Sequence, residues 1–216
     1  MSETIETYIH AGLTIEIETD EDCSNPREND NAGKLFIAEG NNYIGVNELG
    51  KVFDSFEHTD WDGVDAEVLA AFPKAEILPV YRYEHGGVAY NTTGFSCPWD
   101  SGRVGLVLCT YETMLHEWGK KIVTRKVREQ ARACMVSELE EYGSWANGDC
   151  YGYTVLDPDG EELDSCWGFI GDIDYVKSQA EASADAEAPR LPSKEAKEAT
   201  REHYAAEHAG QLRMMG

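Results

Sequence analysis

Apolar and polar residues alternate strictly from Leu13 to Thr19 (LTIEIET), where Leu13, Ile15 and Ile17 interleave with Thr14, Glu16 and Glu18. A period of two over this length predicts a half-buried strand with an acidic outer face. The polar stretch TDEDCSNPREND that follows reads as a loop, and Lys34 to Glu39 (KLFIAE) as a second strand. Asp65 to Phe72 (DAEVLAAF) has helix-forming composition and is stopped by Pro73. Glu76 to Glu84, the turn His85-Gly86-Gly87 and Val88 to Thr93 predict a hairpin, with Pro79 suited to an edge or bulge. The run Val104 to Thr110 (VGLVLCT) is continuously apolar, the mark of a strand buried on both faces.

A helical block follows from Thr113 to Tyr142, broken near Gly119. Its apolar stripe is Val123, Val127, Ala131, Cys134, Met135 and Leu139. Tyr151 to Leu156, the turn Asp157-Pro158-Asp159-Gly160 and Leu163 to Ile170 make a second hairpin, because Pro and Gly occupy the positions a type I turn favours. Strands before and after one long helix predict an α+β domain over residues 1–171, a mainly antiparallel sheet with that helix packed on a face. Residues 172–216 form an acidic tail, helical or flexible: DIDYVKSQAEASADA reads as a helix, and SKEAKEATREHYAAEHA has too few large apolar residues to bury a core. Such a tail is expected to order on a partner or on a second copy, as a homo-oligomer.

Charge changes the picture more than any other compositional figure. Lys and Arg number 18 against 41 Asp and Glu, a formal net charge of -23. Binding to a nucleic-acid backbone relies on cations displacing counterions, so nucleic acid is a poor direct ligand for this chain. A basic protein that itself holds nucleic acid is a better partner, since opposite charge speeds encounter; plain solubility and adaptation to high salt are the competing explanations. Six of the cations, Lys120, Lys121, Arg125, Lys126, Arg128 and Arg132, cluster at the start of the long helix, where internal pairing or solvation is expected before phosphate binding. No apolar run approaches the roughly 20 residues of a membrane helix. Met1 to His10 lacks the basic and apolar regions of a secretory signal, so the cytoplasm of the host cell is the expected location.

Few constellations point to chemistry. The six cysteines, Cys23, Cys97, Cys109, Cys134, Cys150 and Cys166, show no C-x-x-C spacing and are expected as reduced thiols, Cys109 in the core. FSCPWDSG (Phe95 to Gly102) places a thiol, an indole and a carboxylate in one loop. An enzyme would use Cys97 as nucleophile, His85 or His116 as base and Asp100 as the orienting group. The plainer alternative has Trp99 anchoring the loop on the core, Pro98 stiffening it, and Asp100 with Ser101 capping the turn. Asp20, Glu21, Asp22, Glu28 and Asp30 lack the spacing of a calcium loop and read as a solvated acidic segment. Neither a phosphate loop, nor H-E-x-x-H, G-x-S-x-G or a dinucleotide fingerprint occurs, and no cofactor or metal is expected.

Four stretches taken together, DEDCSNPREND, YRYEHGGVAYNTTGFSCPWDSGRVGLVLCT, GDCYGYTV and DSCWGFIG, resemble a widespread but poorly characterised family from bacteriophages and related mobile elements. The likeness runs from Leu13 to Gly171, and FSCPWDSGRVG and DSCWGFIG are its most specific parts. An aromatic usually precedes the aspartate of the first motif in that family, whereas Asn29 precedes Asp30 here, and the acidic tail lies outside the shared pattern. Small phage accessory proteins often disable host restriction or CRISPR systems. With the charge of -23, the resemblance implies a non-enzymatic inhibitor of anti-CRISPR or anti-restriction type, a DNA mimic directed at a basic, nucleic-acid-binding host protein or complex. Glu16, Glu18, Asp20, Glu21, Asp22, Asp60, Asp62 and Asp65 are the expected contact residues. The alternative is a thiol-dependent hydrolase or transferase centred on Cys97.

Overall fold

The computed structural model describes residues 2–39, 43–50 and 61–190. Among the described residues it is α+β, with two antiparallel sheets and four α-helices, where a single mainly antiparallel sheet with one long helix packed on a face, besides shorter helices, was expected. The chain divides into two compact units: Met1–Thr19, Tyr151–Trp167 and Ile173–Gly216 form one, and Asp20–Cys150 with Gly168–Asp172 the other. Residues 191–216, most of the expected tail, lie outside the described residues.

The first unit is organised by a four-stranded sheet of order β1-β2-β8-β9, with β1 at Thr4–His10, β2 at Leu13–Thr19, β8 at Cys150–Leu156 and β9 at Glu162–Ile170. The alternation of β2 works as expected: Leu13, Ile15 and Ile17 are fully buried, and the residues between them are half-buried. Helix α4 (Ile173–Glu187) packs on β1 and β2 through Val176, Ala180 and Ala184, a four-residue step that sets one helical stripe against the sheet.

Strand β1 has an unusual inward face. Glu6, Tyr8 and His10 lie opposite Ile17, Ile15 and Leu13 in register, so they share the face that α4 covers. Lys177 Nζ reaches Glu6 at 2.6 Å and His10 Nε2 meets Asp185 at 2.9 Å. Burial first, and then the charges of Glu181 and Glu6, raise the Tyr8 phenol above its usual pKa. The steps agree because two strand residues advance about 6.7 Å and four helix residues about 6 Å.

The second unit is built on a five-stranded sheet of order β4-β3-β7-β5-β6: β3 is Lys34–Glu39, β4 Tyr43–Asn47, β5 Glu76–Glu84, β6 Val88–Asn91 and β7 Ser101–Cys109. β7 is the continuously apolar run because both of its faces are covered. Val107 and Cys109 face α3 (Arg125–Ala146), packing with Leu35, Ile37, Val127, Ala131, Met135 and Leu139. Leu106 and Leu108 join Phe36 with Val64 and Val68 of α1 (Trp61–Ala71). Pro79 pairs only with Leu106 of β7, since β6 begins pairing at Tyr81, so the proline occupies a local edge as expected. The helical block is split into α2 (Tyr111–Glu117) and α3, with Gly119 between them at φ 57°.

The tight α4 packing generates a test. Ala180→Leu adds three carbons at a site of 0% exposure and is expected to lower stability by about 1–3 kcal/mol through overpacking. Equilibrium urea unfolding measures this; an unchanged midpoint would show that α4 does not seat as described.

Candidate functional site

The expected contact residues divide by what their side chains do. Glu16 and Glu18 point away from α4, on the face where Thr7 and Thr154 flank Glu16 and Gly152 lies opposite Glu18. Ser2 Oγ donates to Glu18 at 3.2 Å. The Trp167 ring covers Gly152 so closely that a Cβ there would lie 2.2 Å from it, which is why only glycine fits. Asp20 holds its own turn: one oxygen accepts from Asp22 N at 3.0 Å and the other from Gly168 N at 2.9 Å. Glu21 and Asp22 are exposed. Asp62 sits exposed in the first turn of α1, where the helix dipole favours it. Asp65 takes both ends of the Arg103 guanidinium at 3.0 and 2.6 Å, and that guanidinium lies 4.8 Å from the Trp61 ring centroid. Asp60 lies outside the described residues. Asp20 and Asp65 therefore have structural duties, whereas Glu16, Glu18, Asp22 and Asp62 present charge.

The FSCPWDSG loop does gather the residues an enzyme reading needs, but in an order that does not suit it. Cys97 Sγ donates to Asp100 Oδ2 at 3.3 Å, and His85 Nδ1 lies 3.7 Å from the same oxygen. The thiol thus gives its hydrogen bond to the carboxylate, while a thiol nucleophile needs the imidazole to take its proton. His116 bonds its neighbour Glu117 at 2.9 Å on α2. The cluster works as a brace, with Ser101 Oγ donating to Cys97 O and Glu84 N to Asp100 O at 3.0 Å.

Trp99 does not anchor this loop on the core as the plainer sequence reading had it: the indole is 92% exposed. Phe95 is the anchor, its ring 5.5 Å from that of Tyr83. The sequence gives no reason to prefer one aromatic over the other. Asn91 stiffens the approach, accepting from Thr93 N at 3.1 Å and Gly94 N at 2.8 Å and donating to Gly94 O. A braced loop thus holds a large apolar side chain in water.

A third cluster was not anticipated. In SNPREND, Asn25 Oδ1 accepts from Arg27 N at 2.9 Å and starts a short 3-10 turn over Pro26–Glu28. The Arg27 side chain is only 5% exposed and bonds Glu48 bidentately at 2.9 and 2.7 Å, together with Asn31 and Gly33 O. Glu138 of α3 lies 3.6 Å from the guanidinium and accepts from Ala32 N at 2.7 Å and Gly33 N at 2.9 Å. Burial disfavours the Arg27 charge, but Glu48 and then Glu138 outweigh it and raise its pKa. Among the described residues no group of three or more His, Cys, Asp or Glu is placed to hold a metal ion.

All six cysteines are free. Burial, the largest cause in each case, pushes the thiols of Cys109 and Cys150 up to about 12 and that of Cys134 to about 11. Glu138 adds to the shift at Cys109 and Cys134, and Cys23 to that at Cys150.

No protein-family model, no curated protein and no solved structure matches the chain. Among the described residues, no helix is long and apolar enough to cross a membrane.

Two predictions follow from the clusters. Arg27→Ala leaves Glu48 and Glu138 facing each other without their cation and is expected to destabilise the fold by about 3–5 kcal/mol, read by chemical denaturation. At pH 8 the three perturbed thiols stay protonated, so a thiol reagent should modify exposed Cys166 well before Cys109, Cys134 or Cys150, as resolved by peptide mass spectrometry. Raised folded-state values also set a sign: the stability these thiols contribute is complete below pH 9 and is lost as pH rises towards about 12.

Proposed function

We propose that this chain is a non-enzymatic interaction protein that occupies a basic, nucleic-acid-binding surface on a host defence or nucleic-acid-processing complex, as an anti-CRISPR or anti-restriction DNA mimic does. The observation that carries this reading is how unevenly the charge is distributed. The described part of the first unit holds thirteen carboxylates against two cations, Lys177 and Arg190, while the second unit pairs many of its acids with arginine, as at Asp65, Glu76 and Glu48. This surplus of carboxylates over cations makes a field that attracts a basic surface and speeds its association.

Trp99 supports the same reading from the second unit. Aromatic side chains held in water on stiff elements are typical anchors of protein contacts, because little rotamer freedom is lost when they insert. The bacteriophage setting comes from the resemblance of FSCPWDSGRVG and DSCWGFIG.

The test is affinity purification of the full chain from bacterial host lysate, mass spectrometry of what co-elutes, and then binding kinetics with the recovered partner. The triple reversal Glu16→Lys, Glu18→Lys, Asp22→Lys is expected to weaken binding at least about tenfold, mainly by slowing association, and added salt should weaken the wild type likewise. Trp99→Ala should instead speed dissociation, and Cys97→Ser should change neither rate. Binding that survives both the triple reversal and high salt would overturn the reading.

A further inference from the structure

Among the described strands β1 is an edge, and much of its make-up favours pairing. It is seven residues long, TIETYIH, with four β-branched residues and no proline or lysine. Proline and lysine are common guards of an edge against pairing with another chain, and so is an inward-pointing charge. The one acid here, Glu6, does turn inward, but Lys177 neutralises it. The single irregularity is a register shift between Thr4 and Glu6, at the strand's start, which leaves Glu6 to His10 regular.

The hairpin fixes which backbone groups face outward. Ala11 and Gly12 form a two-residue turn with φ 51° and 81°, so the flanking pair His10 and Leu13 exchanges hydrogen bonds. Residues 10, 8 and 6 then bond β2, and the N–H and C=O groups of Ile9 and Thr7 point away from it. Consistently, on the far side of β2 the residues of opposite parity continue towards β8, ending in Asp20 N to Cys150 O at 2.8 Å.

We infer that β1 pairs antiparallel with β1 of a second copy of this chain, about a two-fold axis through Thr7, joining two four-stranded sheets into one of eight strands. The outward parity of Thr7 permits this centre, and the sequence favours it. Thr7 meets its own equivalent, and Ile9, 69% exposed, reaches the register shift of the other copy, where Ile5 is 44% exposed. Glu6 falls opposite Tyr8. Moving the centre to Glu6 would set two carboxylates face to face, and moving it to Tyr8 would shorten the overlap. The contact is isologous and closes on itself, so it ends at a dimer.

This inference is independent of the acidic docking surface and has the opposite salt response. Two copies bring like-charged units together, so the dimer should strengthen as salt shortens the screening length below the roughly 10 Å of 0.1 M. Sedimentation of the full chain over a hundredfold dilution is expected to show a monomer–dimer equilibrium that moves towards dimer with salt. Ile9→Lys should give a monomer with unchanged circular dichroism, as should Thr7→Pro, whose lost N–H makes no bond to β2. Thr7→Cys with oxidised glutathione should yield a peptide crosslinked through residue 7 of both copies, since Cα atoms of a directly hydrogen-bonded pair lie about 5.5 Å apart. A wild type that stays monomeric at every concentration and salt, or a dimer that both edge variants leave intact, overturns the inference.

Discussion

The second unit depends on how the long helix α3 is held, because that helix closes one face of the five-stranded sheet. Its N-terminal half is basic and its first turn carries no acid, which the helix dipole disfavours by about 0.3–1 kcal/mol per charge. Glu76, the first residue of β5 and 7% exposed, reverses that balance by bonding Arg128 and Arg132. Hydrogen bonds to charged groups contribute about 1.5–3 kcal/mol each, so two of them outweigh the dipole. At the other end Glu138 grips the backbone of Ala32 and Gly33 beside the buried Arg27. Of the six cations in the basic patch, Arg128 and Arg132 thus fix this helix and Arg125 pairs within it, while Lys120, Lys121 and Lys126 are exposed, a division between the pairing and the solvation that were expected.

Much of this was legible in the pattern of the chain, and the failures have physical causes. β2, β7 and both hairpins carry period-two or all-apolar signals, since each buries one face or two. β1 carried none, because the positions it turns towards α4 are exposed Glu6 and half-buried Tyr8 and His10, while its isoleucines look outward. A strand whose inner face is satisfied by salt bridges to a helix inverts the usual pattern. The division into two sheets was also hidden: alternation tells which residues are buried, not which strand lies beside which. α1 already includes Trp61 to Val64, ahead of the expected Asp65, because that turn is marked by one acid rather than by apolar repeats.

The candidate sites were legible to different degrees for the same reason. Cys97, Asp100 and His85 do come together, as the sequence reading of a thiol enzyme would expect, but the spacing of residues could not tell that the thiol bonds the carboxylate. Arg27 was invisible among polar neighbours, because a buried guanidinium has no periodicity of its own. Its partners Glu48 and Glu138 lie 21 and 111 residues away in sequence. Of the acids chosen for their density, those beside an arginine or a backbone N–H proved structural.

That sorting bears on what a surplus of charge means. A net charge of -23 spread evenly would favour solubility and oppose compactness, with no direction in it. Here one unit neutralises many of its acids internally while the other does not, and the second unit also keeps an indole in water on a loop with its polar groups committed to bracing. Water solvates a carboxylate well and an indole poorly, so the two features answer different pressures. Solubility explains the first and gives no account of Trp99. Under the proposed reading, a basic partner would answer the first feature and an apolar pocket on a partner the second, because charge governs how fast partners meet and a buried ring how long they stay.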